Sequence, residues 1–104
     1  MDIIKTDIEG LLIIKPKVFE DNRGYFFESW SKEVFESKGI KNEFLQDNQS
    51  LSHSGVLRGL HFQNPPYEQG KLVRVIKGSV MDVAVDIRKN SPTYGEHMTV
   101  YLSG

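Results

Sequence analysis

The sequence predicts an all-β chain with one short helix, and two observations carry that expectation. Short segments rich in Val, Ile, Phe and Tyr recur along the chain, and turn chemistry separates them. Only one stretch has helical spacing with a recognisable start and stop.

Taken in order, Gly10 precedes "LLIIKPKVF", and "DNRG" precedes "YFFESW". The helix candidate follows, in "SKEVFESKG". Ser31 can cap its N-terminus, Glu33 falls in the first turn, Val34 and Phe35 form a short apolar face, and Gly39 suits the position just past its end. At about two turns it is a connector. Next, "HSG" separates "FLQDNQSLS" from "VLRGLHFQ", and Lys77–Gly78 separates "KLVRVI" from "SVMDVAVDIR". The pattern is mostly antiparallel. Strand alternation in "SVMDVAVDIR" puts Met81, Val83, Val85 and Ile87 on one face and Val80, Asp82, Ala84 and Asp86 on the other. The first face reads as core. The second either faces water with its two carboxylates or lines the polar interior of a small barrel. The chain ends at "TVYLSG" just after a further strand, which would leave a barrel with an open edge, so a shortened fold is expected.

A chain of 104 residues holds one core, so residues 1–104 are read as a single domain. Thirteen basic residues against fourteen acidic ones leave a formal charge of −1, which gives no global field toward nucleic acid or an anionic membrane. With no cysteine, disulfides and thiolate zinc sites are excluded, and a cytoplasmic location is the expectation. The N-terminal stretch "MDIIKTDIEGLLIIKPKVFE" carries charges every few residues and reads as neither signal peptide nor membrane span.

The chemistry concentrates in "GVLRGLHFQNPPYEQGKLVRVIKG". Of the three histidines, His53 and His97 read as surface or strand residues. His61 differs in its company of Arg58, Gln63, Lys71 and Arg74. A lone histidine in a strand is commonly structural and a lone lysine commonly extends to water, so residue type alone leaves both readings of His61 and Lys71 open. Arg58 and His61, three apart, would face opposite sides of a regular strand. Either Gly59 introduces a bulge or kink, or Arg58 serves the pocket of a neighbouring subunit.

The blocks "DNRGYFFESW", "FLQDNQSLS", "GVLRGLHFQNPP" and "QGKLVRVIKGSVMDVAVDIRKNSPTYG" resemble, in order, those of the dTDP-4-dehydrorhamnose 3,5-epimerase family. The resemblance implies a cupin-type jelly-roll β-barrel, here only its N-terminal portion, and no cofactor. Metal-binding cupins carry a histidine, a second histidine two positions on, and then a glutamate. Here His61 keeps the first place, while Gln63 and Lys71 replace the others. An amide and an ammonium leave a single imidazole, too few ligands for a catalytic metal, and no metal residue is assigned.

The implied activity is epimerisation at C3 and C5 of a dTDP-4-keto-6-deoxy sugar, in dTDP-L-rhamnose biosynthesis. Removing a proton next to a ketone needs a base and a cation at the developing enolate oxygen. The family match gives these roles to His61 and Lys71, in keeping with the near-neutral titration of imidazole and the charge of an ammonium. It gives the diphosphate to Arg23 and Arg58, whose guanidinium forks suit it. Phe26, Glu28, Gln46 and Asn48 match nucleotide-binding positions, although Phe26 by residue type alone reads as core. Asp82 is a candidate supporting residue behind these contacts. The family's tyrosine acid and the carboxylate that orients its histidine match no position here, and Tyr94 and Tyr101 do not correspond to that tyrosine. A homodimer is implied, in which N-terminal strands cross to the partner. Two alternatives stay open: a related dTDP-sugar 3-epimerase or ketoisomerase, and a non-catalytic nucleotide-sugar-binding β-module.

Overall fold

The computed structural model describes residues 1–104 as six strands and one helix. The strands are β1 (Asp2–Lys5), β2 (Leu12–Lys15), β3 (Val18–Asp21), β4 (Gly24–Phe27), β5 (Ser79–Val85) and β6 (His97–Ser103), with α1 (Lys32–Ser37) between β4 and β5. They pair only with sequence neighbours, β1 with β2, β3 with β4 and β5 with β6, all antiparallel. The result is three separate two-stranded sheets and no closed barrel.

Local chemistry explains each hairpin. Between β1 and β2, the Thr6 hydroxyl donates to the carbonyls of Ile8 and Leu11 at 3.0 and 2.8 Å, and it accepts from the Ile8 amide at 3.2 Å. That folds the loop over Ile8, one of the few buried side chains. Pro16 lacks an amide donor and falls between β2 and β3, so "LLIIKPKVF" becomes two strands rather than one. Asn22 and Arg23 form the two-residue turn between β3 and β4, where the Arg23 amide donates to Asp21 Oδ1 at 2.8 Å.

The helix forms as its sequence predicts. Ser31 is the N-cap and accepts from the Val34 amide. At the other end Gly39 takes φ +86°, the Gly39 amide donates to Glu36 and the Ile40 amide to Phe35. This is a Schellman closure, and its usual apolar contact is present in the buried pair Phe35 and Ile40. Trp30 packs edge-on against Phe35 and Phe44, with ring centroids 6.4 and 6.2 Å away.

Two expectations are corrected. No strand forms in residues 41–78, where "FLQDNQSLS", "VLRGLHFQ" and "KLVRVI" read as strands. A strand needs a neighbour to receive its amides and cover its side chains. Here Leu45, Leu51, Leu57, Leu60 and Phe62 are all exposed, Leu57 at 90 %. The second correction concerns the faces of β5. Its pairing sets Val80, Asp82 and Ala84 beside Leu102, Val100 and Met98, the half-buried face of β6. Met81 and Val85 share the other side with the exposed Tyr101 and His97, and Ile87 is exposed too. The face that carries the carboxylates is not the exposed one: Asp82 and Ala84 are half-buried there, as Val83 is on the other side, and Asp86 is only 4 % exposed, while Val80 lies open near the start of the strand.

The molecule is open. Its accessible surface is 9600 Å², whereas a compact chain of this mass has about 6000 Å². Its radius of gyration is 15.3 Å, against about 13 Å for a compact domain of this length. No helix is long and apolar enough to cross a membrane.

Candidate functional site

Two clusters hold most of the residues singled out from the sequence. The first is the β3–β4 ribbon. Phe26 stands opposite Phe19, and together with Glu20, Asp21, Arg23, Gly24 and Tyr25 they line a shallow hollow of about 510 Å³. Phe26 is 70 % exposed, so it is not the core residue its type suggests. The Arg23 guanidinium is not free. Its Nη2 donates to Asp21 Oδ2 at 2.6 Å and its Nε lies 3.1 Å from the same oxygen. The Arg23 hydrogen bonds lower the Asp21 carboxyl from its usual range, and Asp21 raises Arg23 in return. Both side chains are open to solvent, where such a pair adds little stability. Glu28 lies exposed just beyond β4.

The second cluster is the segment from residue 41 to residue 78. Gln46 Nε2 donates to Asn48 Oδ1 at 3.1 Å, which presents the two amides side by side and exposed. Arg58 donates from Nε to Ser52 Oγ at 2.8 Å and from Nη2 to the Leu51 carbonyl at 3.1 Å, so its head is held against the preceding loop. Gly59 takes φ +114°, a conformation that favours glycine, and a Cβ there would lie 3.7 Å from the His61 ring. The backbone is therefore irregular at Gly59, between Arg58, held on the preceding loop, and the exposed His61. His61 and Lys71 are exposed.

One contact joins this segment to the ribbon, and another closes the segment on itself. The Arg74 guanidinium sits 6.0 Å from the centroid of Phe27, on β4. Gly70 passes so close to Asn42 that a Cβ would approach the Asn42 amide nitrogen to 2.7 Å. Asp82 lies half-buried in the middle of β5.

One residue group escaped the sequence reading. The buried Asp86 carboxylate accepts from the Arg88 amide at 3.0 Å, Arg88 Nε at 2.9 Å, Arg88 Nη2 at 3.0 Å, Ser91 Oγ at 2.5 Å and Thr93 Oγ1 at 2.6 Å. Arg88 above all, then Ser91 and Thr93, hold this carboxyl far below the ordinary range. The signal was an aspartate followed at two, five and seven positions by Arg, Ser and Thr, the donor spacing of an Asx turn and its continuation.

The family model described as dTDP-4-dehydrorhamnose 3,5-epimerase matches residues 5–104. The chain belongs to the dTDP-4-dehydrorhamnose 3,5-epimerase family. It is 60 % identical to the dTDP-4-dehydrorhamnose 3,5-epimerase of Shigella flexneri, over 99 % of this chain and 58 % of that protein. It is 56 % identical to that of Methanothermobacter thermautotrophicus, over 96 % of this chain and 54 % of the relative. Among solved structures, the Bacillus anthracis epimerase with TDP and pyrophosphate bound superposes with a TM-score of 0.93 at 42 % identity, covering 98 % of this chain and 59 % of that one. The Legionella pneumophila epimerase in complex with dTDP-4-keto-L-rhamnose superposes at 0.92 with 53 % identity, over 99 % of this chain and 55 % of that one. The fold is therefore that of the epimerase family's cupin-like jelly roll, with its sheets unclosed. The chain spans a little over half the length of the relatives it matches.

Proposed function

We propose that the chain supplies the nucleotide-sugar cradle, the base and the enolate cation of a dTDP-4-keto-6-deoxy-sugar 3,5-epimerase in dTDP-L-rhamnose biosynthesis. The observation that carries this reading is the superposition, over 99 % of the chain at 53 % identity, on an epimerase solved with dTDP-4-keto-L-rhamnose.

In this reading His61 removes the proton next to the ketone, first at one carbon and then at the other, and each enolate takes a solvent-derived proton on the opposite face. Lys71 places positive charge where the enolate oxygen develops, which stabilises the enolate more than the ketone before it. Arg58 and Arg23 bind the diphosphate, with Arg23 exchanging its Asp21 partner for phosphate oxygens. Phe26 offers an exposed ring to the thymine, and Glu28, Gln46 and Asn48 offer polar contacts to the nucleoside. Asp82 supports the pocket from its half-buried place in β5. No step calls for a metal or a redox cofactor, because proton transfers alone invert each centre.

The functional form we propose is a homodimer located in the cytoplasm. The ribbon of β3 and β4, whose aromatic side chains Phe19, Tyr25 and Phe26 face solvent, supports the dimer. The absence of cysteine is in keeping with the location.

The test is proton NMR of the 4-keto dTDP-sugar in deuterium oxide with this chain and with His61→Ala. Deuterium entering C3 and C5 only while His61 is intact is the expected result. Exchange at C3 alone would move the assignment to a 3-epimerase or ketoisomerase. Binding of dTDP without exchange would leave a binding module.

A further inference from the structure

The apolar pattern of β5 does not fix which face turns inward: Met81, Val83, Val85 and Ile87 outnumber Val80 and Ala84, yet Val83 is half-buried on one side, Asp82 and Ala84 are half-buried on the other, and the one buried residue here is Asp86. Side chains of a strand alternate, so a slip of one residue would exchange the two faces, and a strand apolar on both sides does little to resist it. Another feature must fix the register, and the Asp86 cluster is placed to do so. Asp86 follows the last residue of β5, its amide donates to the Glu96 carbonyl and its carbonyl accepts from the Gly95 amide, just before β6 begins. Its carboxylate meanwhile gathers Arg88, Ser91 and Thr93, all from the connection between the two strands. The connection can satisfy that buried carboxylate only if Asp86 points inward and the loop keeps its length between Asp86 and Glu96. A slipped strand would turn Asp86 outward and leave Ser91 and Thr93 without their acceptor.

We propose that Asp86, with Arg88, Ser91 and Thr93, is the register key of β5 and β6, and thereby the positioning residue that turns Asp82 toward the substrate pocket. Asp82 lies two pleats before Asp86 on the same face, so the direction of one dictates the direction of the other. Arg88 extends the key to a second hairpin: a Cβ on Gly10 would lie 4.0 Å from Arg88 Nη1, beside Glu9 and the buried Ile8. The step from register to Asp82 rests on the proposed epimerase reading, whereas the register does not.

Because the chain has no cysteine, the register can be read by cross-linking. Val83 pairs with Thr99, so Val83→Cys with Thr99→Cys reports the native register, and Val83→Cys with Met98→Cys reports a slip of one. With oxidised glutathione, the first pair should bridge and the second should not. Adding Asp86→Ala should slow the first at least tenfold and speed the second. Unchanged bridging of the native pair would overturn the proposal. If Asp86→Ala unfolds by circular dichroism, Ser91→Ala with Thr93→Val, which leaves the Asp86–Arg88 pair in place, should slow native bridging about threefold or more, and no change there would equally overturn it. The readout for Asp82 is rescue: an Asp86→Ala chain bridged beforehand between residues 83 and 99 should recover most of its deuterium exchange into the keto sugar. Failure of rescue in a chain whose parent is active would refute the positioning role. A parent that shows no exchange refutes the epimerase reading and leaves the cross-linking result to decide the register.

Discussion

Replacing Phe35 with alanine should bring the chain close to unfolding, and the structure gives the size of the effect. Phe35 is 2 % exposed and lies under the Trp30 ring, with Ile40 closing the helix over it. A phenylalanine buries about 150–200 Å², and at about 25 cal/mol/Å² that burial is worth about 4 kcal/mol. Measured Phe-to-Ala losses in cores run to about 3–5 kcal/mol. A domain of this length has about 5–15 kcal/mol to lose. This one belongs at the low end, because its 9600 Å² of surface means it hides only about 45 % of what the unfolded chain exposes, against about 65 % for a compact fold.

The assay is built into the sequence. Trp30 is the only tryptophan and sits in the affected cluster, so its fluorescence in a urea titration reports this region. Phe35→Ala should shift its emission to longer wavelength and move the midpoint close to zero urea, with Phe35→Leu in between. Because Phe44 packs on the same ring just before Gln46 and Asn48, dTDP binding should weaken in parallel. A loss below about 1 kcal/mol, well under the range for emptying a packed site, would refute the view that this aromatic cluster holds the first half of the chain together.

Other outcomes follow from the same geometry. His61→Ala should lower deuterium exchange at C3 and C5 by about 100-fold or more, and Lys71→Met by a similar factor with dTDP affinity nearly unchanged; single-turnover rates and equilibrium titration separate the two. Asp21→Asn frees Arg23 from its carboxylate and should tighten pyrophosphate binding a few-fold, whereas Arg23→Ala should weaken it, both measurable by calorimetry. Acid should loosen the β5–β6 connection: the Asp86 carboxyl is held below its unfolded value, so its contribution is complete above the ordinary carboxylate range and is lost as pH falls toward its folded value. Arg88, Ser91 and Thr93 face it, and the Glu9 carboxylate lies beside Arg88. Hydrogen exchange of β5 and β6 amides from pH 6 to pH 2 should show the decline, and Asp86→Asn should flatten it.

What was legible in the sequence was local. Ser31, Gly39 and Phe35 define α1 without help from distant residues, and turn chemistry marks the two hairpins at Gly10 and at Asn22–Arg23, so these elements could be read directly. The strands expected in residues 41–78 depend on neighbours that periodicity cannot supply, and there the apolar pattern records what could be covered rather than what is. The site divides along the same line. Gly59 marked an irregularity between Arg58 and His61, because only backbone freedom was needed for it. The pairing of Arg23 with Asp21, and of Gln46 with Asn48, joins residues two apart whose types were plain, but the direction of each side chain was not.

The two faces of β5 show why a hydrophobic count can mislead. Each apolar residue on the exposed side gives up burial worth about 1.5–3 kcal/mol at most, and Met81, Val85 and Ile87 are only about half exposed. Val80 on the inward side is itself 46 % exposed and Val83 on the outward side is half-buried, so the net difference between the faces is small. Against it stands a buried carboxylate that accepts five hydrogen bonds, and leaving such a buried acceptor unsatisfied costs about 1–3 kcal/mol. The polar cluster outweighs the apolar residue count. A charged residue therefore marks the inward side at the end of this strand, and Asp82, on the same side, is half-buried with it.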